Sequence, residues 1–234
     1  MTYTKRLDGR KFNETRKIEV KVGVIPNADG SAMFKIGDTI AIAAVYGPRN
    51  LYPKFMQNPE RGTLRCNYNM FSFSVDERAR PGPNRRSKEI GLVTEKALIP
   101  ALNLDEFPNA VVDVFVEIIQ ADAGTRCAGI CAASMALADA GLPMRDLICA
   151  ISVGNVGGKI VVDLSKAEED YEEGSTDMPV AILPRNSEIS LLQLDGDMKP
   201  DEIKEALELA KKTCNEIYEI QKSALKEKYR GEKK

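Results

Sequence analysis

The part of this 234-residue chain richest in possible chemistry runs from Ala121 to Gly141, ADAGTRCAGICAASMALADAG. A β-branched run, VVDVFVEII (Val111–Ile119), leads into it, and no charged residue stands between Arg126 and Asp139. That order predicts a strand, a tight turn and a helix apolar nearly all round, hence buried. A helix start fixed inside a protein carries unpaired backbone N–H groups and partial positive charge. Gly124 lets a ligand approach the backbone, Thr125 offers a hydroxyl and Arg126 adds a permanent cation. Such a turn suits an anion the size of phosphate or sulfate. Ordinary capping by Thr125 or Asp122, with Arg126 pairing a carboxylate, fits the same residues. The segment is neither a Walker loop nor GxGxxG.

The theme recurs upstream. In Asp76–Asn103 a Pro/Gly loop carries Arg78, Arg80, Arg85 and Arg86, and Ser87 then introduces a helix with Ile90, Val93, Ala97, Leu98 and Ala101 apolar. Two strand–loop–helix units that each bring arginine to a helix start fit a site gripping two phosphates. Between Arg49 and Ser74, Arg49, Lys54, Arg61 and Arg65 lie near Tyr52 and Phe55. Single-stranded nucleic-acid surfaces use that mixture for phosphate contact and base stacking; a solvated loop with locally packed aromatics accounts for it equally. Carboxylates concentrate in KAEEDYEEGSTD (Lys166–Asp177), most of them expected to be solvated. Asp177 differs, because it stands at the mouth of the apolar strand MPVAIL and a fixed backbone would hold it.

Composition narrows the chemistry. The chain has no histidine, which removes Ser-His-Asp and Cys-His catalysis and the commonest zinc sites. Its net charge of −2 argues that any polyanion site is a local basic patch. Five widely spaced cysteines, no CxxC, no signal peptide and no membrane-length apolar run make a soluble, reduced, cytoplasmic protein the expectation.

The elements needed to position these groups follow from periodicity. Residues 1–16 form a polar, basic arm, and KIEVKVGVI opens an antiparallel meander from about 17 to 47. A strand is expected at Leu64–Val75. Further strands are expected near 147–153, 158–164, 179–184 and 188–195, and a long amphipathic helix starts at Pro200. The expected organisation is an arm (1–16), a first half (17–147), a second half with the C-terminal helix (148–228) and a charged tail (229–234).

RLDGR, NRRSKEI, ADAGTRCAG with ALADAGLPMRDLI, VVDL with an acidic loop ending TDMPVA, and QLDGDMKPDEIKEAL follow one another over nearly the whole chain. In that order they resemble the RNase PH family of phosphorolytic 3′→5′ exoribonucleases, and within it the catalytic exosome-type subunits of archaea. The resemblance implies an α/β (α+β), RNase PH-like fold of two packed strand-rich halves with helices, assembling into a hexameric ring. It implies that inorganic phosphate is the co-substrate and attacks the 3′-terminal phosphodiester of single-stranded RNA, so that no histidine is required. Gly124, Thr125 and Arg126 would hold the phosphate with Arg86 opposite, and Arg85 would grip the RNA backbone. Arg49, Arg61 and Arg65 would face an RNA channel. Asp177 would be the principal acid or a magnesium ligand, with Asp170 as its second carboxylate. The acidic loop is one residue longer than expected, which makes Glu169 the alternative. The implied partners are an inactive RNase-PH-type paralogue, in a hetero-hexameric trimer of dimers, and RNA-binding cap subunits. A tRNA 3′-end-trimming enzyme and the inactive ring paralogue are the competing readings, the second disfavoured by the presence of Asp177 and Arg126.

Overall fold

A computed structural model describes residues 3–171 and 174–230. Two sheets sandwich one helix. Strands β1 (Ile18–Val22), β2 (Gly30–Ile36) and β3 (Thr39–Asn50) form the expected meander. β3 then pairs antiparallel with β5 (Ala110–Gln120), and β4 (Thr63–Met70) lies parallel to β5, giving the order β1-β2-β3-β5-β4. The second sheet is antiparallel in the order β7-β6-β8-β9, from β6 (Cys149–Val156), β7 (Lys159–Val162), β8 (Ser175–Leu183) and β9 (Glu188–Leu192).

Helix α2 (Thr125–Asp139) packs against β2, β3 and β5 of the first sheet and β6 and β8 of the second. All its residues except Arg126 and Ala138 are buried. Ile130, Met135 and Leu137 are fully enclosed, each stabilising the fold by about 1.5–3 kcal/mol. The helix's small residues permit the close approach: a Cβ on Gly129 would stand 3.0 Å from Val116 Cγ1. Cys127 and Cys131 belong to this core, and all five cysteines are free thiols.

Helix α1 (Arg85–Leu98) covers β4, and α4 (Pro200–Tyr229) lies along β6, β7 and β8 and reaches β1. Lys228 and Tyr229 dock its far end onto Asp139 at the end of α2. The arm is fixed to the second half. Tyr3 packs with Val156, Val161 and Leu164, and fully buried Arg6 pairs with Glu168 at 2.7 Å. Residues 1–2 of the arm and 231–234 of the expected tail lie outside the described residues.

Several element bounds differ from expectation. β4 ends at Met70, because Phe71–Ser74 closes a turn through Ser74 N–H to the Phe71 carbonyl. Helix α1 begins at Arg85: Asn84 is its cap, and Ser87 answers as the third residue of a capping box. β8 begins at Ser175, four residues early, so Asp177 stands inside a strand, between Gly154 of β6 and a bridge to Asp195. The acidic loop contains a helical turn, α3 (Lys166–Glu169), capped by Ser165.

Candidate active site

The turn between β5 and α2 is an unusual piece of backbone. Ala123 (φ 57°) and Gly124 (φ 62°) are consecutively left-handed, and Gly124 is the N-cap without any side-chain cap. Neither Thr125 nor Asp122 fills that role. A left-handed alanine costs about 1–2 kcal/mol, and two polar ties hold it. Thr39 Oγ1 donates to the Ala123 carbonyl (2.7 Å) and accepts from Asp122 N–H (2.9 Å), while Arg16 bonds both the carbonyl and the carboxylate of Asp122. The first hydrogen bond of α2 runs from Ala128 N–H to the Gly124 carbonyl, so the N–H groups of Thr125, Arg126 and Cys127 precede the ladder.

Arg126 is the second residue of this helix. Its guanidinium is bonded to the Gln193 side-chain oxygen and lies 3.8 Å from Glu89 of α1, while its Nε is buried without a hydrogen-bond partner. Gln193 in turn donates to Glu89 at 3.3 Å. Arg86 reaches the same cleft from the first turn of α1, where a cation opposes the helix dipole. That local cost makes sense where an anion is to be bound.

The cleft, about 580 Å³, is lined by the cations Arg86, Arg126 and Lys166 and by five carboxylates, Glu89, Glu169, Asp170, Asp177 and Asp195. Glu169, Asp170 and Asp177 occupy different environments. Asp177 accepts a hydrogen bond from Ser152 Oγ; burial raises its pKa, and the Ser152 bond and the Arg126 charge only partly oppose this. Burial, and then the Asp177 charge, push Glu169 up to about 7. Asp170 is exposed and bonded to Lys166 Nζ at 2.7 Å. Burial and charge thus couple Glu169 to Asp177, whereas Asp170 stands at the rim.

Among the described residues no three His, Cys, Asp or Glu side chains converge into a metal cage. Magnesium needs none, since it commonly takes one or two carboxylates and completes its shell with water and substrate phosphate. Asp177 with Glu169, two coupled carboxylates in a polar cleft, fits that requirement.

The remaining expected residues lie elsewhere. Arg85 is exposed beside Arg86 at the start of α1. Arg61 lies by Ile99, Leu102 and Leu104. Arg65 makes a two-point pair with Asp113 across the β4–β5 ladder, and Arg49 pairs with Asp29 over the Tyr46 ring. Glu89 and Gln193 lie within the motifs NRRSKEI and QLDGDMKPDEIKEAL but are given no role there, and Ser152 lies in no motif. Each is an ordinary polar residue whose only signal is the partner that the fold brings to it.

Residues 14–143 match the model of the 3′ exoribonuclease family, domain 1, and residues 146–213 match domain 2 of the same family. The chain belongs to the 3′ exoribonuclease family. Arg86 and Arg126 come from family domain 1, Glu169, Asp177 and Gln193 from domain 2, and the cleft lies between them. Among relatives in this family, the exosome complex component Rrp41 of Pyrococcus furiosus is 56% identical over 225 residues, covering 96% of this chain and 89% of its own. The Methanopyrus kandleri component of the same name is 53% identical over 227 residues, covering 97% and 94%. Two solved structures share the fold at 24% identity. Rice Rrp46 has a TM-score of 0.84, covering 94% of this chain and 100% of its own. The Archaeoglobus fulgidus exosome with RNA bound to the active site has a TM-score of 0.79, covering 92% of each. The family assignment therefore makes this chain a 3′→5′ exoribonuclease by class.

Proposed function

We propose that the chain is the catalytic, phosphorolytic subunit of an archaeal-type exosome, removing nucleotides from RNA 3′ ends as nucleoside diphosphates. The observation that carries this reading is one cleft in which Arg86 and Arg126, the latter the second residue after the left-handed Gly124 turn, face Glu169 and Asp177. Identity above 50% to exosome components over nearly the whole chain supports it.

In this mechanism the N–H groups after Gly124, with Arg126 and Arg86, hold inorganic phosphate. One of its oxygens attacks the phosphorus of the terminal phosphodiester, and the bond from that phosphorus to the neighbouring 3′-oxygen breaks. The departing 3′-oxygen takes a proton from Asp177, whose raised pKa suits a donor. Arg126 and Arg86 stabilise charge on the equatorial oxygens. Glu169 acts as the second carboxylate and Asp170 as a rim group. As the alternative to that proton, a magnesium ion held by the ionised Asp177 and Glu169 would supply charge neutralisation at the leaving oxygen. Arg85 contacts the RNA backbone, with Arg49, Arg61 and Arg65 further along its path. An inactive paralogue completes a hetero-hexameric ring, RNA-binding caps sit on it, and the assembly works in the cytoplasm. Among the described residues no helix is long and apolar enough to cross a membrane.

The test is digestion of internally labelled RNA by the assembled protein with and without phosphate. Diphosphate products that require phosphate are expected; monophosphates in phosphate-free buffer would refute the proposal.

A further inference from the structure

The cleft is built from two halves of the chain, and something must fix their spacing. Arg16, 8% exposed, stands at the junction. Its Nη1 bonds Asp122 in the anion turn (3.0 Å to Oδ2), while Nε and Nη2 form a two-point pair with Asp163 at 3.0 and 2.7 Å. Its backbone N–H also donates to Asp163, at 2.7 Å. Asp163 stands two residues before Ser165, the cap of α3, which carries Glu169 and Asp170. The other oxygen of Asp122 accepts from Lys166 N–H, the first residue of α3, at 3.1 Å. A Cβ on Gly124 would lie 3.5 Å from Arg16 Nη2, so the guanidinium sits directly against the anion turn. One planar side chain therefore ties the phosphate-side turn to the carboxylate-side helix.

We infer that Arg16 is a positioning residue for the reaction: through Asp122 and Asp163 it sets the distance between the anion turn and the α3–β8 carboxylates. This rests on the cleft being the phosphorolytic site. Only a planar fork serves both carboxylates at once; a lysine ammonium keeps the charge but engages one of them well. Arg16→Lys should therefore fold and still misplace the two walls. Misplacement by about 1 Å can cost on the order of a hundredfold in rate.

The experiment compares wild type, Arg16→Lys, Arg16→Gln and Asp177→Asn as full chains in their active assembly. Initial rates are measured against phosphate concentration and expressed per folded chain, alongside RNA affinity. The rise in Tm with added phosphate provides a readout independent of turnover. For Arg16→Lys the expected result is a KM for phosphate raised about tenfold or more, a lower kcat and a weaker phosphate-induced Tm rise. RNA affinity should be unchanged. A lower Tm in phosphate-free buffer with wild-type kcat, KM and phosphate response would show that Arg16 only holds the fold together, overturning the inference. An unfolded Arg16→Gln beside a kinetically normal Arg16→Lys would overturn it equally. An active Asp177→Asn would instead reject the site itself.

Discussion

Glu169→Gln should stabilise the protein at alkaline pH while impairing it as an enzyme. The Glu169 carboxyl is pushed from an ordinary 4.5 up to about 7 by burial and by the neighbouring Asp177 charge. The folded state thus binds this proton more tightly than the unfolded chain does. Stability is greatest below pH 4.5, declines as pH rises to about 7 and is level above that. One pKa unit corresponds to about 1.4 kcal/mol, so ionisation costs about 1.4 kcal/mol by pH ~5.5 and about 3.4 kcal/mol by pH ~8.5. Glutamine does not titrate. Whatever its packing does at a single pH, the stability gap between variant and wild type should widen by about 2 kcal/mol between those two conditions. Urea unfolding of both proteins in chelator-treated buffer measures it directly. A constant gap, or one that shrinks with rising pH, would show that Glu169 is not held half-buried beside the Asp177 charge.

Three further outcomes follow from particular contacts. Asp177→Asn keeps the strand and its Ser152 contact but removes the acid, so phosphorolysis should fall about 10²–10⁴-fold with RNA affinity near wild type; retention of a tenth of the rate would contradict the assignment. Arg126→Ala should lower kcat/KM for phosphate by about tenfold or more, the worth of one charge-assisted contact, and a loss confined to RNA affinity would count against the anion turn. Glu168→Gln removes the charge paired with buried Arg6, leaving it its bonds to the Val162 and Asp163 carbonyls, and should cost about 3–5 kcal/mol near neutrality. Although burial acts to raise its pKa, Arg6, the Ser165 N–H and Tyr3 hold Glu168 down to about 2, so this contribution is present above pH 4.5 and lost as pH falls towards 2. Acid titration of stability should show the gap to wild type closing over that window.

Composition and periodicity alone settle the elements whose burial is complete or strictly alternating. An uncharged, small-residue run from Cys127 to Ala138 reads as a buried helix, and α2 is buried; that it lies between two sheets is decided by the tertiary structure. Alternation of Ile18, Val20 and Val22 in β1 fixes which face packs on the core, because side chains point to opposite faces with a period of two. The arginine at the start of a buried helix was visible for the same reason. Tertiary structure decided what depends on phase and on distant partners. Glu168, Glu169 and Asp170 are three consecutive acids, indistinguishable by composition. A helix turns each residue about 100° from the last, so one points at Arg6 and Tyr3, the next faces Asp177 and the third meets solvent and Lys166. The packed arm and the Ser165 cap fix that assignment. Arg16 is the extreme case. In the sequence it is one cation in a basic arm; its role exists only because Asp122 and Asp163, more than a hundred residues away, fold onto either side of it.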